Sequence, residues 1–77
     1  MTRTLISRPA VRVAGALDEW CDRCGAAAKL VARFASGGDL AFCGHHANKY
    51  SMTIVETADV VVVEPHFAWR GTEADVE

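Results

Sequence analysis

The sequence predicts a small α+β domain made of a cysteine-containing turn, a β-hairpin and a short helix, with an additional C-terminal strand and flexible arms. Three observations predict this fold class. Two Cys/His pairs share a gap of two residues, the segments on either side of Gly37-Gly38 have the character of short strands, and residues 60–63 are four consecutive valines. A chain of 77 residues holds a single core and little more, so these features belong to one small domain.

The N-terminal residues 1–13 are predicted to form a flexible basic arm, because they lack helical or strict strand periodicity and include Pro9. A short extended piece is expected at Val11–Val13. The central domain is expected to span residues 14–52. It begins with one helical turn before a tight knuckle at Cys21-Asp22-Arg23-Cys24-Gly25, where glycine can adopt positive φ.

A β-hairpin and a helix are predicted to complete the central domain. Lys29–Ala35 alternates between apolar and polar side chains, as a half-buried strand does. Ser36-Gly37-Gly38-Asp39 supplies turn residues, and Leu40–Cys43 returns as the second strand. Gly44–Met52 contains no proline, which allows about two turns of helix.

The segment 53–70 is predicted to hold a C-terminal strand and an aromatic extension. Thr53–Val55 and Asp59–Glu64 are rich in β-branched residues, which favour strands, and Pro65 ends the second segment. Four consecutive valines place apolar side chains on both faces of that strand, so either the strand is internal or a partner covers one face. Phe67 and Trp69 follow with a spacing of two residues.

The two Cys/His pairs predict a structural zinc site. Cys21-x2-Cys24 and Cys43-x2-His46 are separated by 18 residues, a spacing typical of zinc domains. Three thiolates and one imidazole fill a tetrahedron and leave no position for water, which favours structure over catalysis. His45 is an alternative fourth ligand, and His66 is expected to be a surface or interface residue. Without metal, the chain is expected to be unfolded or molten.

The order of knuckle, hairpin and ligand-bearing helix resembles the treble-clef zinc fold. The motifs Cys21-Asp22-Arg23-Cys24-Gly25, Ser36-Gly37-Gly38 and Phe42-Cys43-Gly44-His45-His46 resemble those of a family of small, functionally uncharacterised zinc-binding proteins from actinobacteria and their phages. The resemblance covers about Trp20–Tyr50. It implies zinc and a fold but no activity.

Charge and composition restrict the compartment and the partners. Three cysteines cannot all pair, and the N-terminus lacks the apolar core of a secretory signal, so a reducing setting is expected, cytoplasmic or associated with a virion. The longest aliphatic run is too short to span a membrane. The net charge is -2, with the first 17 residues carrying only Arg3, Arg8 and Arg12 before Asp18, and the residues 71–77 forming an acidic tail.

These features favour a non-enzymatic module that binds a protein partner or assembles with copies of itself. No histidine is followed two residues later by the glutamate that a zinc deaminase needs, and the zinc site uses every cysteine. The expected contact residues are Val60, Val61, Val62, Val63, Phe67 and Trp69. Burial of these valines in an internal strand, with the aromatic pair as a lid on the core, is the alternative.

Nucleic-acid binding is the second functional hypothesis. Its candidate phosphate contacts are Arg23, Lys29, Arg33 and Lys49. The acidic C-terminal region opposes this hypothesis, and few aromatic residues stand between the basic ones for base stacking.

Overall fold

The computed structural model describes residues 9–71. The elements, in chain order, are strands β1 (Ala10–Val13), β2 (Leu30–Arg33) and β3 (Asp39–Phe42), helices α1 (Gly44–Lys49) and α2 (Ser51–Thr57), and strand β4 (Val60–Val63). The chain is therefore a small α+β domain with a mixed four-stranded sheet and two short helices, as predicted.

The valine strand β4 lies inside the sheet. The strand order is β1-β4-β2-β3, with β4 parallel to β1 and antiparallel to β2. Strands β2 and β3 form the predicted antiparallel hairpin. Its turn places Gly37 at φ +107, and the amide of Phe34 donates to the carbonyl of Gly38 at 2.9 Å. Glycine occupies this left-handed conformation without a Cβ clash.

The main core covers one face of this sheet. Leu30 is paired in register with both Phe42 and Val63, so these side chains point to the same face. Leu30 and Val61 are completely buried there, together with residues of both helices. Trp69 is 2% exposed in the same cluster, and its indole N–H donates to the carbonyl of Ala47 at 2.9 Å.

A smaller hydrophobic cluster lies on the opposite face of the sheet. Ala28, Val31 and Ala41 form a second buried cluster, against which Leu17 packs. Leu17 is held in place because its backbone amide donates to the carboxylate of Glu64 at 2.9 Å. The segment before the knuckle thus closes over the second face.

The predicted contact residues divide into buried and accessible ones. Val61, Val63 and Trp69 are buried within the domain. Val60, Val62 and Phe67 are half-buried. The chain itself therefore provides much of the cover that two apolar faces of β4 require, and binding of a partner through these residues stays a prediction.

Three local predictions differ from the structure. Thr53–Val55 is helical, as part of α2, because Ile54, Val55 and Ala58 all point into the core at helical spacing. The backbone of residues 14–20 is not helical. The predicted helix Gly44–Met52 is divided at Tyr50, whose φ of -104 and ψ of 21 separate α1 from α2.

The terminal arms lie largely outside the described residues. Residues 1–8 of the predicted basic arm and 72–77 of the predicted acidic tail are not described. The extended piece expected at Val11–Val13 is present within β1, paired along β4. Among residues 9–71, no helix has the length and apolar character needed to cross a membrane.

Candidate metal centre

The first ligand pair lies in a tight turn directly before β2. The amide of Gly25 donates to the carbonyl of Cys21 at 2.8 Å, and Gly25 has φ +81, the left-handed conformation expected of this glycine. The amide of Arg23 points at the Sγ of Cys21 at 3.4 Å. The turn therefore directs both thiols of the pair to one side.

Asp22 fastens this turn to strand β3. Its amide donates to the carbonyl of Ala41 at 2.9 Å, and its Oδ2 accepts from the amide of Ala41 at 2.7 Å. The ligand spacing alone predicts no role for Asp22. Its residue type could have indicated one, because aspartate in a turn commonly accepts hydrogen bonds from backbone amides. We regard Asp22 as a residue that positions the ligands.

The second ligand pair lies at the start of α1. Cys43 is the N-cap of that helix, and its Sγ accepts from the amide of His46 at 3.5 Å. This thiol thus accepts a hydrogen bond from a backbone amide in the first turn, which has no acceptor within the helix. His46 follows three residues later, and its Nδ1 lies 3.4 Å from the Sγ of Cys43.

The structure brings the two pairs together. The ligand atoms of Cys21, Cys24, Cys43 and His46 all lie within 4.8 Å of one another. The Sγ atoms of Cys24 and Cys43 are 3.8 Å apart, and the Sγ of Cys21 lies 3.6 Å from the Nδ1 of His46.

These separations suit a tetrahedral metal ion. Bonds of the length that zinc forms, arranged tetrahedrally, place two sulfurs about 3.8 Å apart and a sulfur and a nitrogen about 3.6 Å apart. The observed separations of 3.8 Å and of 3.4–3.6 Å match both values. The three thiols are free of disulfides. The four residues could therefore bind a metal ion.

The other two histidines lie outside the cluster. His45 is exposed, and its ring stands edge-on to that of His46 with 4.9 Å between centroids. His66 is also exposed and has φ 69. Of the three histidines, only His46 belongs to the described group that could hold a metal.

The local electrostatics favour a thiolate at Cys21. Burial raises the pKa of the Cys21 thiol. Hydrogen bonds from the backbone groups of Cys43, Arg23 and Cys24, together with one from the Cys24 side chain, outweigh burial and lower this pKa to about 6. A thiol with such a pKa is largely deprotonated at neutral pH, as a metal ligand must be.

The pKa of Cys24 is shifted in the opposite direction, upwards. A backbone hydrogen bond at Ala26 lowers the pKa of Cys24, but partial desolvation and the neighbouring sulfurs of Cys21 and Cys43 together raise it. The physical reason is that thiolates close together repel each other unless a cation lies between them. The set of donors is thus one that a divalent cation would stabilise.

Tyr50, the C-cap of α1, packs against the ring of His46. It lies four residues after His46, hence on the same helix face, and the two rings stack with 5.9 Å between centroids and 12° between planes. The guanidinium of Arg23 donates to the Tyr50 hydroxyl at 3.1 Å and lies 5.2 Å from the ring centre. Sequence analysis did not identify this contact, although the i, i+4 spacing was visible.

The comparisons with known proteins place the chain in a family. Neither the curated proteins nor the solved structures gave a match. The profile of a family described as "Domain of unknown function (DUF7455)" matches residues 15–68, a range that includes all four residues of the metal cluster. The chain therefore belongs to the DUF7455 family.

Proposed function

We propose that this protein binds one structural Zn²⁺ ion and acts, without enzymatic activity, as a protein-interaction or assembly module. The proposed ligands are Cys21, Cys24, Cys43 and His46. The observation that supports the proposal most directly is that two separate segments supply four donor atoms within 4.8 Å of one another. Thiolate and imidazole donors in a tetrahedral arrangement suit zinc better than the hard cations that prefer oxygen.

The closed ligand set supports a structural role. Four protein ligands leave no coordination position for water or substrate, whereas a catalytic zinc ion keeps one. Structural zinc contributes on the order of 10–16 kcal/mol of apparent binding free energy in small peptides. A core of this size supplies roughly 3–5 kcal/mol. Zinc binding would therefore dominate the stability of the domain.

The surface supports an interaction role. Among the described residues, five large hydrophobic side chains are exposed: Val11, Val13, Trp20, Leu40 and Met52. Val13 is 69% and Trp20 is 68% exposed. Exposed aromatic and aliphatic side chains are groups that a protein partner could cover.

Three of the predicted contact residues are half-buried and add to these exposed apolar groups. Val60, Val62 and Phe67 retain some exposure and complete the set of apolar groups that a partner could cover. An accessory protein of a larger complex, such as a virion, is the setting we propose, in keeping with the resemblance to a family from actinobacteria and their phages.

The zinc proposal is tested by metal content and by the spectrum of the metal-free chain. Native mass spectrometry should find one zinc ion per chain, and Cys43→Ser should lose it. Chelation should collapse the dispersion of the amide signals, because the metal holds the knuckle to α1. A well-dispersed spectrum that chelator leaves unchanged would refute a structural role for zinc.

The interaction proposal is tested with matched surface variants. Zinc-loaded wild-type protein is used to capture partners from the organism that carries the gene, beside Trp20→Ser and Val13→Thr. A specific partner should be lost with at least one variant while zinc content stays at one per chain. Capture that is identical for all three proteins would contradict the use of these surfaces.

Nucleic-acid binding is the second candidate function, and a pair of cationic side chains beside an aromatic ring favours it. Arg23 and Lys49 both lie beside the ring of Tyr50, at 5.2 and 5.7 Å from its centre. The other two candidate contacts are engaged by acids: Lys29 pairs with Glu64 at 3.2 Å, and Arg33 with Asp39 at 4.0 Å. A shift assay with duplex DNA and single-stranded RNA should find affinity that falls steeply with salt if this candidate is right.

A further inference from the structure

An apolar groove lies between strand β3 and helix α2, next to the metal centre. Its volume is about 200 Å³, and Phe34, Leu40, Phe42 and Ile54 line most of it. Leu40 is 42% exposed, and Phe34 is half-buried. An apolar cavity of about 150 Å³ accommodates benzene, so this groove has room for one phenyl or isobutyl side chain.

One end of the groove is positively charged. Arg23 and Tyr50 line that end, where the guanidinium donates to the tyrosine hydroxyl. The Nζ of Lys49 lies 5.7 Å from the centre of the same ring. The remaining two lining residues are threonines, so none of the eight lining residues carries a carboxylate. The groove thus combines an apolar floor with two cationic side chains at one end, and neither forms an ion pair with another residue of the range 9–71.

We propose that this groove is the docking site for a partner protein's segment in which a bulky apolar side chain is followed by acidic residues. The apolar side chain would enter the space between Leu40 and Ile54. The acidic residues would face Arg23 and Lys49. Burial of an apolar anchor supplies affinity, and the charge pair fixes the direction of the segment. This inference rests on the proposed function and specifies the partner for it.

The metal centre connects directly to the charged end of the groove. Arg23 lies between the ligands Cys21 and Cys24, and the ring of Tyr50 stacks on that of His46. A metal ion that fixes the knuckle and His46 would therefore also fix Arg23 and the ring of Tyr50, beside which Lys49 lies. Docking should require the zinc-loaded form, and a bound segment should in turn slow the loss of zinc, because coupling between two sites is reciprocal.

Three short peptides separate the apolar contribution from the charge contribution. They are Gly-Phe-Asp-Asp-Gly, Gly-Phe-Asn-Asn-Gly and Gly-Ala-Asp-Asp-Gly, each acetylated and amidated so that no terminal charge contributes. Each is titrated into zinc-loaded, ¹⁵N-labelled full-length protein. The first peptide should shift the amide signals of Arg23, Leu40 and Ile54 in a saturable way. The second should bind more weakly by up to about fivefold, as expected for a partly exposed ion pair, and the third should not saturate.

A matched pair of variants tests the assigned cation. Arg23→Met should weaken the first peptide towards the level of the second, because only Lys49 then remains to face the acidic residues. Arg33→Met removes the same charge from the other side of β2 and should leave the affinity unchanged. Zinc content is measured for both. Two results would overturn the inference: equal binding of all three peptides, or no saturable shift in the groove. If an oligonucleotide shifts the same amide signals while no peptide binds, the groove binds nucleic acid and the inference is wrong.

The test separates this inference from the proposed function. If the peptides do not bind while zinc is still present, the groove is excluded as the docking site. The exposed surfaces around Val13 and Trp20 then remain candidate interfaces. Failure to bind zinc at all would instead contradict the proposed function.

Discussion

Replacement of Asp22 by alanine should weaken both the fold and the binding of zinc. Asp22 lies between two proposed ligands, and its Oδ2 accepts from the amide of Ala41 at 2.7 Å. Ala41 is 5% exposed, so its amide has little access to water once the carboxylate is gone. Asp22→Ala thus removes a hydrogen bond to a charged group and leaves a poorly solvated donor behind.

The size of the effect follows from these two losses. A hydrogen bond to a charged group contributes about 1.5–3 kcal/mol, and the exposed position of Asp22 reduces the expected loss to about 1–2 kcal/mol. The bond forms together with the metal site, so this free energy is linked to metal binding. A loss of about 1–2 kcal/mol corresponds to a decrease of about 5-fold to 30-fold in apparent zinc affinity.

Competition with a chromophoric chelator measures the zinc affinity, and thermal unfolding of the zinc-loaded protein measures its stability. Asp22→Asn retains an acceptor oxygen and should lose about 0.5–1 kcal/mol. Asp39→Ala is the control, because it removes an exposed carboxylate from β3, the strand to which Asp22 is bonded. The ion pair of Asp39 with Arg33 at 4.0 Å contributes little. Equal zinc affinity for wild type and Asp22→Ala would refute the positioning role.

Four further variants test other contacts. His46→Ala should abolish tight zinc binding, whereas His45→Ala should retain it, as measured by native mass spectrometry; the opposite result would exchange the two histidines as ligands. Trp69→Phe should lower the free energy of unfolding by about 1–3 kcal/mol in chemical denaturation, because it leaves the buried carbonyl of Ala47 without this donor. Hydrogen bonds from the backbone amide of residue 17 and from a lysine lower the pKa of Glu64 below its ordinary value of 4.5. This lowered pKa contributes stability above about pH 4.5 that is lost as pH falls through the pKa of the folded state. Glu64→Gln should therefore be less stable than wild type at about pH 6, with a difference that narrows towards about pH 4; a constant difference would contradict the argument.

Local chemistry made the metal centre predictable from the sequence. The spacing of each Cys/His pair fixes how far apart two ligands can lie, and the glycine of the hairpin turn fixes where the chain reverses. Both are properties of a few consecutive residues. The proximity of Cys24 to Cys43 then follows, because a hairpin joins the two segments that carry them.

Long-range packing determined the features that the sequence did not predict. Thr53–Val55 favours a strand by its side chains, but burial of Ile54 and Val55 against the sheet selects a helix. The parallel pairing of β1 with β4 connects residues about 50 apart in the chain, and no local pattern specifies it. Burial of Trp69 depends on a carbonyl of α1 at the correct depth, which only the assembled core provides.

The hairpin and the metal ion have complementary roles in this fold. Cys43 follows Cys24 by 19 positions in the chain, and closing a loop of that length costs about 2.6 kcal/mol from chain length alone. Pairing of β2 with β3 already closes it, as the bond from the amide of Lys29 to the carbonyl of Phe42 at 2.8 Å illustrates. In the folded domain, the strand pairing and a bound metal ion would therefore share this cost.

The elements that need the metal are the knuckle and helix α1. A helix of six residues is well below the length of about 12–15 residues at which isolated helices become marginally stable in water. This helix nevertheless supplies Ala47, whose side chain is completely buried and whose carbonyl accepts from Trp69. Coordination through Cys43 and His46 would fix the first turn of α1 and thereby the carbonyl that accepts from the indole. The proposed zinc ion would thus stabilise the hydrophobic core at a distance, through the helix that it anchors.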